Sequence, residues 1–278
     1  MMSKPFTLVV CVVLAVATIA IWSLMKSEPM EPVEWQVNET AQVPRIVSFQ
    51  PGIESLEALE RAGFDKSAVS ALSSDLAKAG AVMNWAHRLW SHNGDNDPGT
   101  TEPKIILERA QAGDRFRCVE YSVMTVAAAR SVGLDARVVG LRTRDVETTE
   151  YGAGHVVAEI YLHDLKKWIM VDAQWALIPT ADGNPISVAE FAAALGRNDI
   201  QFMSSNNKVS SDARYLSWIS PYLYYIAFRI DQRLDVNPRS FDQIILIPKG
   251  AKVPEKFQRN PIPGTVFPAF AVGSVYTI

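Results

Sequence analysis

The chain has 278 residues, 48% of them hydrophobic and 21% charged, with a net charge of -3 and a pI near 5.9. That length is ample for one large domain with a buried core, and the composition is ordinary for a globular protein. The charge gives no bulk basic signal for nucleic acid, and the sequence holds no Cys-rich or Gly-rich phosphate-binding pattern and no repeat of fixed period.

Residues 6–25 carry no charge and are flanked by Lys4 and Lys26. As a helix they would span about 30 Å, the thickness of a hydrocarbon core. An uncleaved anchor, a cleaved signal peptide and a buried helix are the three readings. Ala15 and Ala17 suit a cleavage site, but the apolar run continues through Ile21, Trp22 and Leu24, which favours the anchor. Val10 before Cys11 argues against a lipoprotein site; Lys4 and Lys26 balance, and the short amino-terminal flank favours the bulk of the chain lying outside the cytoplasm. The expected division is a signal anchor or signal peptide over 1–30, a linker and extension over 31–64, a core over 65–185, and a carboxyl-terminal extension over 186–278 packed on that core.

The sequence has two cysteines, and Cys11 lies in the apolar run. Cys118 therefore has no disulfide partner in the folded region, so it is either a reactive thiol or an inert packed one.

In chain order, Asp65 caps a helical stretch toward Trp90, with Val69, Leu72, Leu76, Val82, Met83, Ala86 and Leu89 at helical spacing and Gly80 as a place to bend. His87 and His92 are five apart, which does not put two metal ligands on one helical face, so they read as surface or packing residues. Pro103 opens a short helix through Gln111. Another starts at Cys118 and ends at Gly133, a natural carboxyl-terminal cap. Three strands follow, over 136–142, 155–162 and 167–175, the last two forming a hairpin. The acid-rich loop 143–154, with Asp145, Glu147 and Glu150, reads as solvated or as a gate over a site, and no metal is assigned to it. Ser187 and Glu190 form a capping box for a further helix, and 243–248 reads as a strand.

This order brings three residues toward one another. At a helix start the free N–H groups and the dipole favour a thiolate on Cys118 and suit an oxyanion. A two-residue turn at His163-Asp164 would pair Leu162 with Leu165, Glu159 with Trp168 and His155 with Asp172. Directly paired side chains stand about 4.5–5.5 Å apart at Cβ, within reach of an imidazole–carboxylate hydrogen bond. The same pairing gathers Val156, Ala158, Ile160, Ile169 and Val171 on the other, covered face. Read as chemistry, the set is a nucleophile, a base and an orienting acid; read as structure alone, His155 is a surface residue opening a strand and Asp172 simply ends one.

The segments FRCVEYSVMTVAAARSVGLDARVVG, GHVVAEIYL and KWIMVDAQW resemble the transglutaminase-like superfamily over about residues 80–178. The matching positions are Cys118, Gly133 through Arg137, His155, and Trp168 with Asp172. Val156 after the histidine departs from the usual aromatic or small residue. The resemblance implies an α+β, papain-like core, with the cysteine-bearing helix packed on an antiparallel sheet. It also implies catalysis by Cys118, His155 and Asp172 without a cofactor. The expected reaction is thiol-dependent acyl transfer at an amide or peptide bond, as in a cysteine peptidase, an amidase or a transglutaminase. The expected partners are a peptide or protein substrate and, through residues 6–25, a membrane. A binding or assembly module that keeps the fold without the chemistry is the alternative. Gln111, Trp85 and Trp90 are candidates for a second oxyanion donor.

Overall fold

Arg117, just before the first residue of the central helix, is tied down by the carboxylate of Glu120. That side chain accepts the Arg117 N–H at 3.0 Å and pairs with its guanidinium at 2.8 Å. The helix it opens, Cys118–Ser131, is buried from Glu120 through Arg130. Its surface is small or apolar almost all round, which suits a helix surrounded by other elements. Each fully buried Val or Met contributes about 1.5–3 kcal/mol. The helix ends as expected at Gly133, whose φ of +84° lies in the left-handed region that Gly adopts freely. Arg130, buried in the last turn, donates to the carbonyls of Ala136, Phe49 and Gln232.

The computed structural model describes residues 30–37, 42–204, 208–234 and 241–276. The chain divides into two units, Met1–Glu31 and Pro32–Ile278, and every described element lies in the second. The expected anchor, residues 6–25, falls outside the described residues. Among the described ones, no helix is long and apolar enough to cross a membrane.

The helices are α1 (Ile53–Arg61), α2 (Lys66–Ser70), α3 (Asp75–His87), α4 (Pro103–Gln111), α5 (Cys118–Ser131), α6 (Val188–Ala194) and α7 (Ala213–Ile219). The strands are β1 (Ala136–Arg142), β2 (Gly154–Leu162), β3 (Lys167–Val171), β4 (Leu177–Ala181), β5 (Asn184–Pro185), β6 (Gln201–Ser204), β7 (Val209–Ser210), β8 (Tyr225–Arg229), β9 (Gln243–Leu246), β10 (Lys256–Phe257), β11 (Asn260–Pro261) and β12 (Val266–Ala269). The main sheet runs β12-β9-β8-β1-β2-β3, antiparallel throughout except for the parallel β12–β9 pair. Strands β5-β4-β6-β7 make a second sheet, and β10-β11 a small hairpin. This is an α+β fold with a largely antiparallel sheet. Its main core lies between α5 and one face of the sheet, where Val123, Val126 and Ala127 meet Ala158, Ile160, Ile169 and Val171.

Three expectations need correction. The helix read from Asp65 to Trp90 is two helices. Asp65 does cap α2, but Ser74 accepts the Ala77 N–H at 3.1 Å and starts α3 afresh, because a Ser-Ser-Asp run is a strong N-cap signal. Gly80 sits inside α3, and α1 was not anticipated at all.

The β2–β3 register also differs. Leu162 pairs with Lys167 and Ala158 with Val171, so the turn spans four residues, 163–166. It is stretched because it is held from outside: Asp75 accepts the His163 N–H at 2.9 Å, and Asp164 caps the Asp75 N–H at 3.1 Å. The strand expected to reach residue 175 stops at Val171, where Asp172 turns back in a bridge to Leu177.

A slip of two residues keeps every side chain on its face, since the pleat has period two. The covered face therefore holds Ala158, Ile160, Ile169 and Val171 as read from the sequence. His155 and Asp172 still share the opposite face, now diagonally rather than directly paired.

Candidate active site

Cys118 is the first residue of α5, and its thiol is partly exposed. The residue before it is fixed twice, since Arg117 pairs with Asp97 at 2.7 Å as well as with buried Glu120. This joins the loop after α3 to the start of the cysteine helix.

His155 and Asp172 are buried, at 3% and 1% exposure. His155 Nε2 lies 2.8 Å from Asp172 Oδ2, and a carboxylate partner fixes the tautomer in which Nε2 carries the proton and donates it. Nδ1 is the ring nitrogen left for the Cys118 thiol, which lies near enough to help hold the proton on the imidazole. The structure thus brings all three sequence-predicted residues together, with the histidine in the middle. Burial alone would lower the His155 pKa. The Asp172 charge and hydrogen bond override it, Cys118 adds to them, and the imidazole is pushed up to about 10.

Asp172 is past the end of β3, so its side chain is set by its donors rather than by strand pairing. Oδ1 accepts the Trp175 N–H at 3.3 Å. Oδ2 accepts the Tyr215 hydroxyl at 2.9 Å besides the imidazole. Trp218 lies edge-on to the His155 ring, 4.9 Å between centroids and 74° between planes. Tyr215 and Trp218 come from α7. Sequence reading missed them because the signal there was only a run of aromatic residues, with no spacing that links them to residue 172.

His92, Tyr151 and Tyr222 lie near enough to feel the charges of the cysteine–histidine pair. His92 is lowered by burial and by the His155 charge. His87 holds the Ala173 carbonyl at 2.9 Å, so it packs against the turn after Asp172. The loop 143–154 is not free. Gln258 bonds Val146 and Ala153, Arg259 bonds Thr148 and pairs with Glu150, and Glu147 caps the N–H groups of Glu255 and Lys256. Among the described residues, no three His, Cys, Asp or Glu side chains converge as metal ligands.

Of the oxyanion candidates, Trp85 is committed to the Ala62 carbonyl at 3.1 Å. Trp90 Nε1 is buried without a hydrogen-bond partner, and Gln111 is exposed at the end of α4. A cavity of about 530 Å³ elsewhere, lined by Val43, Arg45, Asp135, Arg137 and Trp168 among others, includes none of the three candidate residues.

On the same sheet face as His155, Arg137 and Glu159 form a buried pair at 2.7 Å. Glu159 also accepts the Val188 N–H and the Tyr276 hydroxyl, each at 2.8 Å. Arg137 donates to the Val275 carbonyl and is packed among the rings of Trp168, Phe228 and Tyr276. The arginine that contributed to the resemblance is thus part of the framework.

Residues 63–173 match the family model described as the transglutaminase-like superfamily. No curated protein is similar enough to the sequence to match it. Among solved structures, a candidate cysteine protease from Cytophaga hutchinsonii is 16% identical with a TM-score of 0.34, covering 58% of this chain and 50% of its own. A TGase is 19% identical with a TM-score of 0.31, covering 43% and 30%. LapG of Legionella pneumophila, in an EGTA-treated form, is 11% identical with a TM-score of 0.34, covering 65% and 98%. The chain therefore spans half or less of the first two, and such scores say nothing of substrate. Over residues 63–173, less than half of its length, the chain is similar to the transglutaminase-like superfamily.

Proposed function

We propose that the protein is a thiol enzyme for acyl transfer at amide or peptide bonds, with Cys118 as nucleophile, His155 as general base and acid, and Asp172 as the group that orients the imidazole. The observation that carries this reading is the chain of contacts from the Cys118 thiol through His155 to the Asp172 carboxylate, 2.8 Å at its second step. Cys118 attacks the carbonyl as a thiolate and His155 gives its proton to the leaving amine. Backbone N–H groups at the start of α5 face the developing oxyanion. The acyl group on sulfur then passes to water in a peptidase or amidase, or to an amine in a transglutaminase. The proposed setting is outside the cytoplasm, with residues 6–25 as a membrane anchor.

The test is release of amine from a peptide mixture by the full-length protein and by Cys118→Ala. A parallel reaction containing an added primary amine separates hydrolysis from transamidation by product mass. Turnover by the wild type alone is expected. Equal turnover by a folded Cys118→Ala protein would overturn the mechanism. Absence of any turnover, together with a Cys118 inert to iodoacetamide, would favour the binding module.

A further inference from the structure

Tyr215 is fully buried, and its hydroxyl meets the same Asp172 oxygen that holds His155. A buried phenol needs a hydrogen-bond partner, and this one spends its proton on Asp172. The ring has little freedom. Phe202 packs against it edge-on at 5.0 Å and Trp175 lies at 5.3 Å, while Asp212 caps the Tyr215 N–H at 2.9 Å. The residue lies forty-two positions beyond the end of the family match at 173 and belongs to the carboxyl-terminal extension.

We infer that Tyr215 is a positioning residue of the site, fixing the Asp172 carboxylate so that it holds the His155 imidazole in line with Cys118. This rests on the assignment of Cys118, His155 and Asp172 made above. It gives the extension a role in the chemistry besides packing on the core. Asp172 lies in a turn, so no strand pairing beyond its bridge to Leu177 restrains it, and its carboxylate is aimed by the donors around it. The Tyr215 hydroxyl also draws charge off Oδ2. Without it the carboxylate would hold the imidazolium more tightly while being freer to swing away.

The test reads the cysteine–histidine pair directly and needs no substrate. Full-length protein is alkylated with iodoacetamide across a pH series, and labelling at Cys118 is followed by peptide mass. Tyr215→Phe should raise the alkaline inflection of the rate by about half a unit or more. On the Asp172→Asn background the same change should do nothing further. If Tyr215→Phe does not fold, 3-fluorotyrosine installed at position 215 keeps the ring in place and strengthens the donor, so the inflection should fall instead. A purely packing role lowers the melting temperature without moving the inflection. A folded variant whose profile superimposes on wild type, while His155→Ala shifts it, overturns the inference alone. A profile that His155→Ala also leaves unmoved overturns the site assignment and the inference with it.

Discussion

Replacing Asp172 with Asn keeps the side-chain shape and removes the charge that holds the His155 imidazolium. In the native protein the imidazole is raised from its ordinary 6.5 to about 10, against the pull of burial. At about 1.36 kcal/mol per unit, this is a preference for the protonated ring on the order of 5 kcal/mol. The folded state binds that proton more tightly than the unfolded chain. The stabilisation is therefore full below pH 6.5 and is lost as pH rises from there to about 10. In Asp172→Asn the burial is opposed only by Cys118, so the alkaline inflection of Cys118 alkylation should fall by at least about two units. Melting curves give an independent readout, since each kcal/mol moves the melting temperature of a protein this size by about 2–4 °C. Between pH 6.5 and 10 the wild type should lose roughly 10–20 °C more than the variant. An unchanged inflection with parallel melting curves would refute the claim that Asp172 sets the protonation of His155.

Cys118→Ala should abolish turnover while shifting stability by less than about 1 kcal/mol, because the thiol is partly exposed and little packing is lost. His155→Ala should be nearly as severe and Asp172→Asn milder, judged by initial rates on any substrate the wild type accepts. Glu159→Gln leaves the buried Arg137 without its counter-charge and should cost about 3–5 kcal/mol by urea unfolding. Gly264→Ala should destabilise by well over about 1 kcal/mol. Its φ is +76°, and an added Cβ would lie 2.5 Å from the Phe241 carbonyl carbon. Gly63→Ala, at φ +81° but in open space, should cost only about 1–2 kcal/mol.

The central helix was legible because its signals are local. Gly113 and Asp114 break the preceding helix shortly before Cys118, and Gly133 closes the far end in a backbone conformation few residues adopt. Strand β1 was legible for the same reason, with alternating residues between a Gly turn and a polar loop. The β2–β3 register was not, because the four-residue turn is held by Asp75 and Asp164, and no pattern in the hairpin itself records contacts made by α3. The shared face of His155 and Asp172 survived that error only because the slip was even. Tyr215 shows the limit more sharply. It meets Asp172 across 43 positions through a tertiary contact, which hydrophobic periodicity cannot report.

The buried Arg137–Glu159 pair bears on biosynthesis. Its groups come from β1 and β2, but its remaining partners are Val188 at the start of α6 and residues 275 and 276. A ribosome makes these in order, so a nascent chain can have formed α5 and the first three strands, and paired Arg137 with Glu159, while the bonds from Val188, Val275 and Tyr276 are still missing. Each such buried bond left unmade costs about 1–3 kcal/mol. The strand that carries His155 also carries Glu159. It therefore reaches full stability only once residue 276 has been synthesised and docked, and a protease that trims those last residues would loosen the same strand from a distance.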